Sequence, residues 1–260
     1  MTAAPLLSVR EATMRFGGLL ANDRISFDVE EGALFAVIGP NGAGKTTLFN
    51  IISGYFAPSS GSVHFDGRDI TGLAQDEVAQ AGLVRTYQLV QLFKDLSVAE
   101  NVEIGCHRVT RGGIGAALIR RAWMRRQEEE VARAACELLR FVGLGGLEAM
   151  KADKLPYGQQ RLLEVARALA AQPRLLLLDE PAAGLDTHET EALAEVITRV
   201  NGRGVTVILI EHDMGLVMKI AKRIAVLDFG RKIAEGTPDE IRAHPDVIAA
   251  YLGTPEAADA

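Results

Sequence analysis

Gly39-Pro40-Asn41-Gly42-Ala43-Gly44-Lys45-Thr46, with Thr47 directly behind it, decides the reading of this chain. It fits the phosphate-binding loop template, with four free residues between the first Gly and Gly-Lys-Thr. Ala33 to Ile38 in front is an apolar run of strand length, and Thr46 to Ile52 behind reads as the first turns of a helix. A loop so placed curls its backbone N–H groups around phosphate oxygens at a helix N-terminus. Side chains at 39, 42 or 44 would hold the phosphates away or forbid the curl. Lys45 is expected to reach the β- and γ-phosphates, Thr46 a Mg²⁺ and Thr47 the α-phosphate. With Gly at about 7% of residues, the bare pattern arises by chance in about one chain of this length in a hundred. The strand and helix around it make chance rarer still, so a nucleoside triphosphate is the expected ligand.

At 260 residues the chain can bury a core as one large domain or a domain with a subdomain. Charged residues are 24% and hydrophobic ones 48%, an ordinary composition for a soluble fold. A net charge of −6 gives no global attraction for nucleic acid, and no nucleic-acid partner is expected. Cys106 and Cys136 are isolated and match no metal or redox spacing, so reduced thiols in a cytosolic protein are expected. No apolar run approaches the ~18–20 residues of a membrane span. Met1 to Leu7 lacks the charged and long apolar regions of a signal peptide. The chain is expected to stay inside the cell, with other chains doing any spanning.

Leu6 to Met14 and Ile25 to Val29 read as strands with Gly17-Gly18 as turn chemistry between them. Phe16, just before that turn, reads from spacing alone as a core aromatic at a strand end. Gly61 to Phe65 enters a tight turn at Asp66-Gly67. Val84 to Tyr87 is extended, and Gln88, leaving it, reads alone as a loop residue. Beyond 89 the pattern turns helical: Val131, Ala135, Leu138, Leu139 and Val142 give one apolar face. Arg120, Arg121, Arg125 and Arg126 precede Glu128 to Glu130. Arg125–Glu129 and Arg126–Glu130 pairs on a solvated face are the plain reading; a basic patch near anionic lipid is the sharper one. Arg161 to Ala171 is helical. Leu175 to Leu178, with no alternation, reads as a central parallel strand. A helix over Glu189 to Val200, a strand over Val205 to Ile210 and a strand pair across Phe229-Gly230 follow. A helical stretch from Asp239 to Leu252 breaks at Pro245, and the end after Gly253 is expected to fray.

Carboxylates at strand C-termini sit where ligands bind in open α/β sheets. Asp179 and Glu180 are adjacent, so an extended backbone points them in opposite senses and gives them different work. Asp179 suits Mg²⁺, complementing Thr46. Glu180 suits a general base for the water attacking the γ-phosphate. His212, at the next strand tip, suits a contact to that phosphate and the water. Gly158 at a helix start offers bare N–H groups to an anion. Since the loop already provides one anion site, this one suggests a second nucleotide across a dimer.

The ordered set Phe16, Gly39 to Thr47, Gln88, Leu155 to Gln160, Leu175 to Glu180, Asp186 and His212 resembles the ATP-binding subunits of ABC transporters. The resemblance runs from about Val9 to Gly253. It implies an α/β fold: a P-loop NTPase core with a mostly parallel sheet, an N-terminal antiparallel β subdomain and an inserted α-helical subdomain at about 89–160. One domain over 6–253 with a disordered 254–260 tail is expected. Phe16 would stack on adenine, and Gln88 would sense Mg²⁺ and the γ-phosphate beside Glu180 and His212. Pro156, Tyr157, Gly158 and Gln159 would close over ATP held by a second ATP-binding subunit, with Asp186 linking the two sites. ATP and Mg²⁺ are the implied cofactors. Two transmembrane permease subunits would receive the helical segment at the cytoplasmic face of the inner membrane.

Pro156 and Tyr157 depart from the family's Leu-Ser-Gly-Gly-Gln, removing the serine contact while Gly158 N–H remains. Branched-chain amino acid importers carry a similar Tyr-Gly-Gln-Gln. Met14 to Ala21, Arg85-Thr86-Tyr87-Gln88, the insert near 105–130 and Pro245 to Gly253 resemble the longer of that importer's two ATPase subunits. An importer for branched-chain or hydrophobic amino acids or related amides, served indirectly by a substrate-binding protein, is therefore expected. The alternatives are the ATPase of a lipopolysaccharide-type exporter, which normally keeps Ser-Gly-Gly, and a soluble ABC protein acting on ribosomes or DNA, which usually carries two such domains.

Overall fold

A computed structural model describes residues 4–106 and 121–252, with the side chains of 121–125 and 252 excepted. The frayed tail expected over 254–260, most of the insert near 105–130 and the side chains of Arg120, Arg121 and Arg125 lie outside the described residues. Arg126 and Glu130 both stand exposed on their helix.

Strands β1 (Leu7–Phe16), β2 (Leu19–Val29), β4 (Ser60–Phe65) and β5 (Arg68–Asp69) form an antiparallel sheet in the order β2-β1-β4-β5. A second sheet takes β3 (Leu34–Ile38), β6 (Leu83–Arg85), β7 (Leu175–Asp179), β8 (Thr206–Ile210), β9 (Arg223–Asp228) and β10 (Arg231–Gly236) in the order β10-β9-β3-β8-β7-β6. Its pairings are parallel except β9–β10, a hairpin at the edge. β3, β7 and β8 are buried at every position, as strands covered on both faces must be.

The pleat divides these strands between two cores. Leu176, Leu178, Val207 and Leu209 face one side and meet α3 (Val98–Gly105), α4 (Arg121–Val142), α5 (Tyr157–Ala170), α6 (Thr187–Gly202) and α7 (Met214–Ile220). Leu175, Leu177, Ile208 and Ile210 face the other and meet the antiparallel sheet, α1 (Lys45–Ile52) and α2 (Gln75–Ala81). Helices α8 (Pro238–Arg242) and α9 (Pro245–Leu252) close the chain. The helical segment α3 to α5 is inserted between β6 and β7, as expected, and the apolar face read on α4 is real: Ala135, Leu139 and Val142 are fully buried. Two helices were not foreseen. α2 buries only Val78, and α7 is a short run whose apolar residues show little periodicity.

Because β3, β7 and β8 run parallel, their C-terminal ends share one edge. That edge gathers the phosphate-binding loop, Asp179-Glu180 and Glu211-His212, as ligand sites in open parallel sheets require.

Candidate active site

The loop after β3 is held from two sides. A Cβ on Gly39 would lie 2.1 Å from the Leu227 carbonyl oxygen of β9, and one on Gly44 would lie 2.4 Å from the Ala21 oxygen of β2. These glycines are thus required by close backbone packing as well as by the ligand. Asn22 Nδ2 also donates to the Gly44 carbonyl at 3.0 Å, and Gly230 N–H donates to the Ala43 carbonyl at 3.1 Å. Lys45 Nζ donates to the carbonyls of Gly39 (2.7 Å) and Pro40 (2.9 Å). Burial pushes the Lys45 ammonium below its ordinary value, opposed by the nearby Glu180 and Asp179 carboxylates. The result is a cation poised for a stronger anionic partner. Tyr251 of α9 faces the Gly39 amide; burial raises its hydroxyl pKa and the Gly39 N–H opposes that rise.

A cleft of about 530 Å³ opens above the loop, lined by Phe16, Leu19 to Ala21, Asn41 to Thr47, Glu180, Phe229 and Gly230. Phe16 is 43% exposed there, its ring edge-on to Phe56 at 5.4 Å. The core position that spacing alone suggests for Phe16 is thereby corrected: the β1–β2 turn carries the ring past the end of the sheet into the cleft.

Asp179 and Glu180 have opposite environments, though not through simple alternation. β7 ends at Asp179, and Glu180 turns the backbone at φ 45°. Asp179 is buried, with Oδ2 accepting from Arg85 Nη2 at 2.6 Å and Oδ1 left without a protein partner. Glu180 reaches the cleft. Its Oε2 accepts from Gln88 Nε2 at 2.8 Å, and His212 Nδ1 lies 3.8 Å away. Gln88 and His212, expected to act with Glu180 on water and the γ-phosphate, therefore both flank its carboxylate. Thr46 is exposed on the cleft wall. The orphaned Asp179 Oδ1 and the exposed Thr46 hydroxyl are both oxygen donors of the kind a hard cation such as Mg²⁺ takes.

Pro156 caps the N-terminus of α5 without a side-chain bond. First-turn amides of a helix, Gly158 here among them, have no intrahelical acceptor. Tyr157 packs near Gly184, and Gly158 lies against Glu189, whose carboxylate accepts from the Asp186 amide at 3.2 Å. Asp186 in turn caps α6 by accepting from Glu189 N–H at 2.8 Å. The 156–159 stretch thus abuts Asp186 and its capping box. None of Pro156, Tyr157, Gly158 and Gln159 lines this chain's own cleft.

Several supporting residues were not foreseen. The Arg85 side chain is 5% exposed and also donates to Asn50 Oδ1 (2.7 Å) and Ser53 Oγ (2.9 Å), linking the end of α1 to Asp179. Arg161, in the second turn of α5, is buried and donates to the main-chain carbonyls of Tyr87 and Gln88. Glu164 accepts from Gln91 N–H at 2.7 Å, and burial raises its pKa against the pull of that amide, Arg161 and Arg167. The helix that begins at the signature therefore grips the Gln88 segment. Glu211, fully buried, accepts from the N–H groups of Ala182 (2.8 Å) and His212 (3.1 Å), fixing both strand tips; burial, opposed by these amides, raises its pKa. An Arg and a Glu three apart in the α5 sequence were the available signal, and they read equally well as a surface pair. Nothing local marks Arg85 or Glu211.

Residues 22–183 match the ABC transporter family model, and residues 231–257 match a model described as branched-chain amino acid ATP-binding cassette transporter. The chain is 46% identical over 250 residues to the high-affinity branched-chain amino acid transport ATP-binding protein BraF of Pseudomonas aeruginosa, covering 96% of this chain and 98% of that protein. It is 43% identical, with the same coverage, to the LivG protein of the same description from Escherichia coli. Among solved structures, an ATP-binding cassette of an ABC transporter in its ADP conformation superposes with a TM-score of 0.84 at 32% identity, over 97% of this chain and all of that one. A dimeric cassette in a post-hydrolysis state with ADP and Pi gives 0.75 at 26% identity, over 89% of this chain and 98% of that one. With a loop of phosphate-binding sequence, a carboxylate flanked by Gln88 and His212, and likeness along nearly its whole length, this chain belongs to the ATP-binding cassettes of ABC transporters, in their branched-chain amino acid branch, and is an ATPase subunit.

Proposed function

We propose that this chain hydrolyses ATP to drive import of branched-chain or related hydrophobic amino acids. It works as one of two ATP-binding subunits on two transmembrane permeases at the cytoplasmic face of the inner membrane, supplied by a substrate-binding protein. The observation that carries the substrate class is the match of the C-terminal segment to the branched-chain model, joined to full-length relatives named for that transport. No helix among the described residues is long and apolar enough to cross a membrane; in this reading the chain attaches through the permeases. Residues 6–253 act as one domain whose helical part, about 89–160, docks on the permeases. Leu89 and Phe93, 73% and 50% exposed at the start of that part, offer apolar contact.

In this reading Phe16 stacks on adenine, the amides from Gly39 to Thr47 with Lys45 hold the phosphates, and Thr46, Gln88 and Asp179 serve the Mg²⁺ site. Bound Mg²⁺ would neutralise charge on the β- and γ-phosphates. Glu180 takes the proton of the attacking water, and His212 and Gln88 orient that water and the γ-phosphate. Gln88 must first release Glu180 Oε2. Arg161 holds the Gln88 main chain in place, so the side chain alone can make that exchange. Gathering the loop and the carboxylate on one sheet edge gives positioning and charge neutralisation, the main requirements of phosphoryl transfer. Pro156 to Gln159 face the partner subunit's nucleotide through the Gly158 amide, and Asp186 relays between the sites.

Affinity purification of the tagged chain from native membranes, with partners identified by mass spectrometry, tests the assignment. Two polytopic permeases with a second, shorter ATPase are expected. Lipid-export partners or ribosomes would overturn the substrate class and leave the ATPase chemistry standing.

A further inference from the structure

Phe229 is 87% exposed, the most exposed large hydrophobic among the described residues. It occupies the first corner of the two-residue β9–β10 turn at φ 42°, followed by Gly230 at φ 78°. Both residues at positive φ make a type I′ hairpin turn, which prefers Asn-Gly or Asp-Gly. A bulky side chain at positive φ is strained, and such strain concentrates at ligand clamps and active sites. Solvation and backbone preference thus both disfavour Phe at this corner.

Its location supplies the reason. Gly230 donates to the Ala43 carbonyl of the phosphate-binding loop at 3.1 Å and accepts from Asp23 N–H of β2 at 2.8 Å. A Cβ on Gly230 would lie 2.7 Å from the Ala21 oxygen, so the turn is clamped against both elements. The clamp sets the Phe229 ring on the wall of the same cleft as Phe16 and Lys45. The turn's contact with Ala21 of β2, the strand returning from the Phe16 turn, points to the nucleoside end of the cleft.

We infer that Phe229 is a second aromatic wall of the nucleotide site, contacting the ribose–base end of bound nucleotide and fixing it together with Phe16. This rests on the cleft being the nucleotide site. The bare ring would then lose its water only when nucleotide binds, which converts its exposure into affinity.

Phe229→Asn separates ring from fold, because Asn-Gly suits the turn better and thermal stability should hold or rise. Titration calorimetry with ADP and, separately, inorganic tripolyphosphate is run on wild type, Phe229→Asn, Phe229→Tyr and Lys45→Ala. The expected result is roughly three- to tenfold weaker ADP binding in Phe229→Asn, unchanged tripolyphosphate binding, and rescue by Phe229→Tyr. ADP affinity within about twofold of wild type in Phe229→Asn, while Lys45→Ala loses it, overturns the role of the ring alone. Equal loss of ADP and tripolyphosphate also overturns it, since the turn would then act through the loop backbone. If Lys45→Ala binds ADP like wild type, the cleft is not the nucleotide site and the underlying reading fails.

Discussion

Arg85→Met tests whether the buried pair beneath the site holds it together. Arg85 and Asp179 side chains are 5% and 3% exposed and meet at 2.6 Å. The same guanidinium donates to Asn50 and Ser53 and lies 5.8 Å and 5.1 Å from the ring centroids of Phe49 and Tyr87. Methionine keeps most of the stem and its packing but removes the charge and every one of those donors. It leaves the Asp179 carboxylate buried without a cation, and breaking such a pair costs about 3–5 kcal/mol. Against the roughly 5–15 kcal/mol total stability of a domain, that is a large share. At about 2–4 °C per kcal/mol for a chain of this size class, the melting temperature should fall by on the order of 10 °C. The double variant Arg85→Met with Asp179→Asn removes the stranded charge and should recover part of the loss, through a coupling of about 1–3 kcal/mol. Urea unfolding followed by circular dichroism, without nucleotide, reads both quantities. A loss under about 1 kcal/mol, the size of an exposed pair, or no recovery in the double variant, would refute the argument.

Two further outcomes follow from the site. Because burial lowers the Lys45 pKa from 10.5, part of the amine is neutral in the alkaline range below that value; phosphates would return the proton. Nucleotide binding should therefore take up protons in the alkaline range and weaken as pH rises through the lowered Lys45 value, with calorimetry across that range in two buffers of different ionisation heat as the check; heats independent of buffer throughout would contradict it. Gly158→Ala should displace Glu189, since the new Cβ would lie 2.5 Å from its Oε1. Loss of the bond from the Asp186 amide to the Glu189 carboxylate, the Asp186 cap itself staying, should cost about 0.5–1.5 kcal/mol, read as a lower melting temperature, and ATP-driven dimerisation should weaken as well; an unchanged melting temperature would show that Glu189 does not depend on the missing Cβ.

What could be read from the sequence was local. Gly39 to Thr47 carries its own loop geometry, and Leu175 to Leu178 declares a buried parallel strand because all four of its side chains are apolar. The tip positions of Glu180 and His212 followed from those strands. The alternating split of β7 between two cores, and the parallel order of the sheet, agree with that reading. What stayed hidden depends on distance along the chain. Arg85 meets Asp179 across 94 positions, Arg161 meets Gln88 across 73, and Glu211 meets Ala182 across 29. A charged side chain destined for burial looks like any surface charge until its partner is known. Phe16 was misread from spacing for the converse reason: an aromatic built to receive a ligand has the composition of a core residue. Short helices such as α2 escaped because one buried valine gives no period.

The most direct test of the account is phosphate release by the Glu180→Gln variant at saturating MgATP, with ATP binding measured on the same preparation. Glu180 as the general base predicts a fall of about 10²–10⁴ in turnover with ATP binding retained and a stabilised closed dimer. Hydrolysis within about tenfold of wild type would remove Glu180 from that role and break the link between this strand tip and the chemistry.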